Sequence, residues 1–71
     1  MVDKSLLRSV IVRNGETQSK LAAVLDLTPS QMSDRVNGYT EFKASEVGKI
    51  VHRYNLSFEE TDGIFFTEAS S

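Results

Sequence analysis

TQSKLAAVLDLTPSQMSDRVNG, residues 17–38, reads as two short helices joined by a tight turn, with a polar face left on the second. Leu21, Ala22 and Leu25 recur at i, i+1 and i+4 and mark one helical face. Ala22 is small where two helices would cross closely. Asp26 stands where the turn needs a left-handed residue; Gly is best there, and Asp is tolerated. Leu27 continues the apolar core. Thr28-Pro29-Ser30-Gln31 is a helix start, with Thr28 as N-cap, Pro29 at the first helical position and Gln31 closing a capping box. Met32 and Val36, four apart, face inward. Asn37-Gly38 ends the helix with residues that tolerate a left-handed cap.

Working outward, the same signals predict an all-α chain of five helices. The first spans about 3–14, carries Leu6, Leu7, Val10 and Ile11 as its apolar stripe and stops at Gly15. The second and third span about 18–25, capped by Thr17, and 29–36. A loop over 37–43 carries Tyr39 and Phe42. Val47, Ile50, Val51 and Tyr54 repeat at i, i+3, i+4 and i+7 and predict a fourth helix over 44–54, ended by Asn55. Ser57-x-x-Glu60 is a second capping box and opens a fifth helix through about Phe65. Residues 1–66 are expected to form one domain and 67–71 a frayed tail. The expected core is Leu7, Val10, Ile11, Leu21, Ala22, Leu25, Leu27, Met32, Val36, Phe42, Val47, Ile50, Val51 and Leu56.

Composition narrows the function classes. A chain of 71 residues buries only about 60% of its unfolded surface and leaves no room for a catalytic cleft beside a core. There is no cysteine, hence no disulfide or thiolate metal site, which fits a reducing cytoplasm. His52 is the single histidine and is expected to lie exposed on the fourth helix, not on a metal. No Ser/His/Asp triad or Gly-rich phosphate loop has support. An enzyme is not expected, nor a cofactor, a transmembrane span or a signal peptide. The formal net charge is −2. It is unevenly spread: residues 1–56 hold all eight Lys and Arg against six acids, whereas 57–71 hold four acids and no base. The expected reading of that acidic end is a solvated face.

The segment from Thr17-Gln18 through Leu21-Ala22, Leu25 and Met32 to Asn37-Gly38 resembles the Cro/repressor-type helix-turn-helix of phage and bacterial transcriptional regulators. The flanking Gly38-Tyr39-Thr40-Glu41-Phe42 and Ile64-Phe65-Phe66 are similar to small phage-encoded members, so the resemblance covers residues 5–66. It implies a compact lambda-repressor-like domain in which the third helix enters the major groove of operator DNA. It also implies that Gln18 bonds a phosphate and braces the third helix. Thr28 and Pro29 would then open the DNA-facing side. Ser30, Ser33, Asp34 and Asn37 share one face by spacing, and with Gln31 they are candidate base readers. Asn37, Tyr39, Thr40 and Lys43, with a backbone N–H beside Gly38, are candidate phosphate donors.

Two residues depart from the family pattern. Asp34 stands where a base-reading Gln or Arg is common. Arg35 stands where an apolar residue is common; its stem would cover the core while its guanidinium pairs with Asp34, meets a phosphate or reads a base edge. At the C-terminal end, Phe58, Ile64, Phe65 and Phe66 either close the core or form a weak homodimer patch. The leading expectation is a cytoplasmic phage or prophage regulator that binds double-stranded operator DNA. The alternative is a module of the same fold that binds and modulates a partner repressor protein, favoured by the acidic charge and Asp34.

Overall fold

Five helices fill residues 2–66, the part of the chain that the computed structural model describes: α1 (Lys4–Arg13), α2 (Gln18–Val24), α3 (Pro29–Val36), α4 (Ala44–Tyr54) and α5 (Phe58–Phe65). The expected tail over 67–71 lies outside the described residues. Short polar side chains start most of the helices by accepting backbone N–H bonds that the first turn cannot satisfy internally. Asp3 accepts from the Leu6 amide at 3.1 Å and Thr17 from the Lys20 amide at 3.1 Å. Thr28 with Gln31, and Ser57 with Glu60, form the two reciprocal capping boxes read from the sequence. The non-glycine residues with positive φ are Asp26 at 59° and Asn55 at 52°, one after α2 and one after α4. Both are residue types whose short polar side chains tolerate that conformation.

Each helix sends one wholly buried side chain to the centre: Leu7, Leu21, Met32, Ile50 and Ile64. Val10, Ile11, Ala22, Leu25, Val36 and Leu56 are buried as expected, and Ile64, Tyr54 and Phe65, outside the expected set, are buried with them. Leu27, Phe42, Val47 and Val51, expected in the core, are half-buried at its edge. Leu6 is a correction. Helix α1 turns Leu7, Val10 and Ile11 inward, which leaves Leu6 46% exposed. It lies on the lip of a groove between α1 and α5 lined also by Val10, Gly63 and Ile64.

The C-terminal apolar cluster divides in two. Ile64 and Phe65, expected as candidate dimer residues, are core residues of this chain. The Asp3 N–H donates to the Ile64 carbonyl at 2.7 Å and ties the end of α5 to the start of α1. The Phe65 ring meets Phe42 edge-to-face, with centroids 5.4 Å apart and planes at 82°, a preferred aromatic geometry. Folding α5 back in this way leaves Phe58 and Phe66 outside, 95% and 61% exposed.

A polar clamp on another side fixes the chain between α1 and α2. Glu16, just before the α2 cap, accepts from Arg53 and from the Tyr54 hydroxyl, both on α4. These bonds hold the Glu16 carboxyl at about 2, below its ordinary 4.5. Burial, and then the bond to Glu16, push the Tyr54 phenol up to about 12. Because the folded pKa of Glu16 is depressed, its contribution is present above pH 4.5 and fades as pH falls toward about 2. Denaturation across this range should therefore show the stability advantage of the parent over Glu16→Gln narrowing as acid is added. A constant advantage down to the lowest pH would contradict the clamp. Ala22, buried in the core, should resist enlargement. Ala22→Leu should cost on the order of 1–3 kcal/mol through overpacking, and a thermal melt matching the parent would disprove the close packing at that position.

Candidate nucleic-acid interface

Helix α3 sits on the rest of the domain through Met32, Arg35 and Val36, all buried. Ser30, Gln31, Asp34 and Asn37 are exposed on its other side and Ser33 is partly so. The turn that delivers α3 is short. The Leu27 N–H returns to the Ala22 carbonyl at 2.9 Å, and Thr28 caps the new helix. Helix α3 therefore has one buried side, Arg35 included, and one exposed polar side.

Several of the candidate readers are already engaged. Gln31 Oε1 accepts from the Thr28 N–H at 2.9 Å, so only its amide N–H groups face outward unpaired. Asn37 Nδ2 donates to the Ser33 carbonyl at 2.9 Å and to Ser33 Oγ at 3.2 Å, while its Oδ1 accepts from Lys4 Nζ at 3.3 Å. Ser30 and Asp34 make no side-chain hydrogen bond among the described residues and are the free polar groups of that face. Gln18 opens α2 and is half-buried. Tyr39, Thr40 and Lys43 are exposed along the following loop, Tyr39 at 82%.

Two expectations need correction. Arg35 does not reach outward. Its side chain is 9% exposed, and its Nε donates to Glu46 Oε1 at 2.7 Å. An arginine placed on the buried side of a helix is held there when a carboxylate satisfies it, because an unpaired buried charge is far more costly. Arg35 therefore neither pairs with Asp34 nor stands ready for a phosphate or a base. The backbone beside Gly38 is also not a free donor. Gly38, at φ 82°, reverses the chain so that its N–H returns to the Arg35 carbonyl, and the Tyr39 and Thr40 N–H groups both return to the Asp34 carbonyl. The N–H groups of Gly38, Tyr39 and Thr40 are thus spent within the turn, and the exposed side chains of Tyr39, Thr40 and Lys43 are donors that remain.

Glu46 is the residue that sequence reading missed. Its Oε1 accepts from Arg35 and also from the Lys43 N–H, at 2.9 Å. One carboxylate oxygen thus holds both ends of the loop over 37–43. Burial pushes the Glu46 carboxyl up, but the bonds from Arg35 and Lys43 outweigh it and leave the pKa below its ordinary value. The signal was present as an acid at the third position of α4, the place from which a side chain reaches back to a cap. Nothing in the spacing pairs it with Arg35. His52 is exposed on α4, as expected.

Three arginines are paired with carboxylates and, among the described residues, the lysines are not. Arg13 pairs with Glu60, Arg35 with Glu46 and Arg53 with Glu16. Lys4, Arg8, Lys20, Lys43 and Lys49 pair with no carboxylate among the described residues. Comparison of the chain with protein families, with characterised proteins and with solved structures finds no match. The geometry of α2, α3 and the loop is what a functional reading has to stand on.

Removing one partner of the buried pair should be severe. Glu46→Ala strands the Arg35 charge and should cost about 3–5 kcal/mol, a large part of the stability of any small domain. Replacing both partners with apolar residues, Arg35→Met with Glu46→Leu, should recover much of that loss. Urea denaturation of the single and double variants measures both. Equal losses in the two would show that the pair does not couple.

Proposed function

We propose that this chain is a small non-catalytic DNA-binding regulator of the Cro/repressor kind, reading the major groove with α3. The observation that carries the reading is the exposure of Ser30, Gln31 and Asp34 on α3 while Met32 and Val36 lock its other side to the core. A short, rigidly seated helix with a bare polar face has the dimensions the major groove accepts. In this reading α2 and α3 are a helix-turn-helix. Ser30 and the Gln31 amide donate to base edges, Asp34 accepts from a cytosine amino group, and Gln18, Thr28, Tyr39, Thr40 and Lys43 line the phosphates. Pro29 and Ser33 border the readers. Two copies would be needed to cover a full operator. Of the exposed apolar side chains, Phe58 and Phe66 are those at the C-terminal end that could make a weak contact, with Glu59 and Asp62 beside them opposing it.

A second reading has its own support. With Arg35 drawn into the core, α3 shows an exposed acid, Asp34, and no cation on its outward face. Such a face suits a protein partner with a basic surface, and a partner repressor is the chemistry of that kind the alternative names.

Selection of duplexes from a random pool separates the two. The DNA reading expects a recovered consensus, and it expects Ser30→Ala and Asp34→Ala to change preference at particular base pairs by about 1–3 kcal/mol. Recovery of no consensus at low salt, together with saturable binding to the regulator encoded beside its gene, would replace the first reading with the second.

A further inference from the structure

We infer that Lys4, from the first turn of α1, is a phosphate-binding residue of the α3 surface. It supplies the cation that α3 lacks. This rests on the DNA-binding reading above.

Three observations lead to it. Arg35, the only cation in α3, is buried against Glu46 and unable to meet a phosphate. The backbone N–H groups of Gly38, Tyr39 and Thr40 return to carbonyls of Arg35 and Asp34, so these three offer no cradle to a phosphate at the end of α3. Lys4 crosses from another element to this place: its Nζ donates to Asn37 Oδ1 at 3.3 Å, thirty-three residues along the chain. Lys4 is exposed and pairs with no carboxylate among the described residues. A neutral amide oxygen uses one of its three N–H donors, which leaves two and the full charge unspent.

The backbone at Lys4 is anchored, and the bond to Asn37 places its ammonium. Asp3 caps α1 through the Leu6 amide and donates its own N–H to the Ile64 carbonyl. The start of α1 is thereby anchored to the end of α5, and Lys4 follows the anchor by one residue. Asn37 is held in turn by Ser33. The ammonium is therefore seated at the C-terminal end of α3, beside the loop that carries Tyr39, Thr40 and Lys43. Phosphate contacts of this kind position a protein on the duplex without reading sequence. Lys4 should accordingly contribute equally on every duplex, in contrast to Ser30 and Asp34.

The test measures binding of the full chain to two mixed-sequence DNA duplexes of about two helical turns, across salt from about 50 to 200 mM. Lys4→Gln should weaken binding about three- to tenfold at low salt, equally on both duplexes, and lower the slope of log K against log salt by about one. Lys4→Arg should restore affinity and slope. Arg13→Gln makes the same change of charge at the far end of α1, where Arg13 pairs with Glu60, and should leave the slope near the parent value. Circular dichroism on each variant checks that helix content is kept. A Lys4→Gln slope equal to the parent's, or an equal fall in Arg13→Gln, overturns the assignment while leaving DNA binding by α3 standing. Absence of binding by the parent to either duplex overturns the DNA reading itself, and Lys4 with it, before any variant is compared.

Discussion

The Glu46 carboxylate is the contact on which the exposed half of this domain depends. Arg35 and Glu46 are both nearly excluded from water, and neither charge would be tolerable there alone. Their mutual bond repays desolvation, and the Lys43 amide uses the same oxygen. The arrangement gives α3 and the start of α4 one common anchor. Without it the seven residues between them would have to be ordered by their own contacts, and Tyr39 and Thr40 at the tip make few. The apolar core seats α3 at Met32 and Val36. The ion pair sets where α3 ends and where the chain leaves it.

That anchor also decides the electrostatics. A net charge of −2 sits poorly with a nucleic-acid surface if charge is counted along the chain. In the folded molecule three arginines are engaged in ion pairs, two of them joining elements distant in sequence and the third joining α3 to α4. The remaining cations, four lysines and Arg8, have no carboxylate partner among the described residues. Arginine suits the pairing because its planar group satisfies a carboxylate from a fixed direction, while lysine keeps a compact hydrated charge available at the surface. The same division of labour leaves Asp34 as the exposed charge of α3, which is why both functional readings begin from that helix.

Most of the fold could be read from the chain because its signals are local. Thr28-Pro29-Ser30-Gln31 and Ser57-x-x-Glu60 each state a helix start within four residues, and Asp26 and Asn55 take the left-handed conformation their position required. The site was less legible because its decisive contacts are not local. Arg35 meets Glu46 across eleven residues, Lys4 meets Asn37 across thirty-three and Tyr54 meets Glu16 across thirty-eight. No periodicity encodes such meetings. The C-terminal phenylalanines show the same limit. Spacing marked Phe58, Ile64, Phe65 and Phe66 as one apolar group, and only the return of the chain past Asp3 and Phe42 could separate the two that are buried from the two that are not.

The placement of the tyrosines gives the molecule an optical property of practical value. There is no tryptophan and there are two tyrosines. Tyr54 is buried and bonded to a carboxylate, in a fixed asymmetric setting, while Tyr39 stands almost bare on the loop beside α3. Near-ultraviolet circular dichroism, which requires a rigid chromophore, will draw on Tyr54 and follow the integrity of the interior. Access of small neutral quenchers to the emission will draw on Tyr39 and follow what covers the loop. The unmodified chain therefore carries two separate reporters, one for its packing and one for its exposed surface.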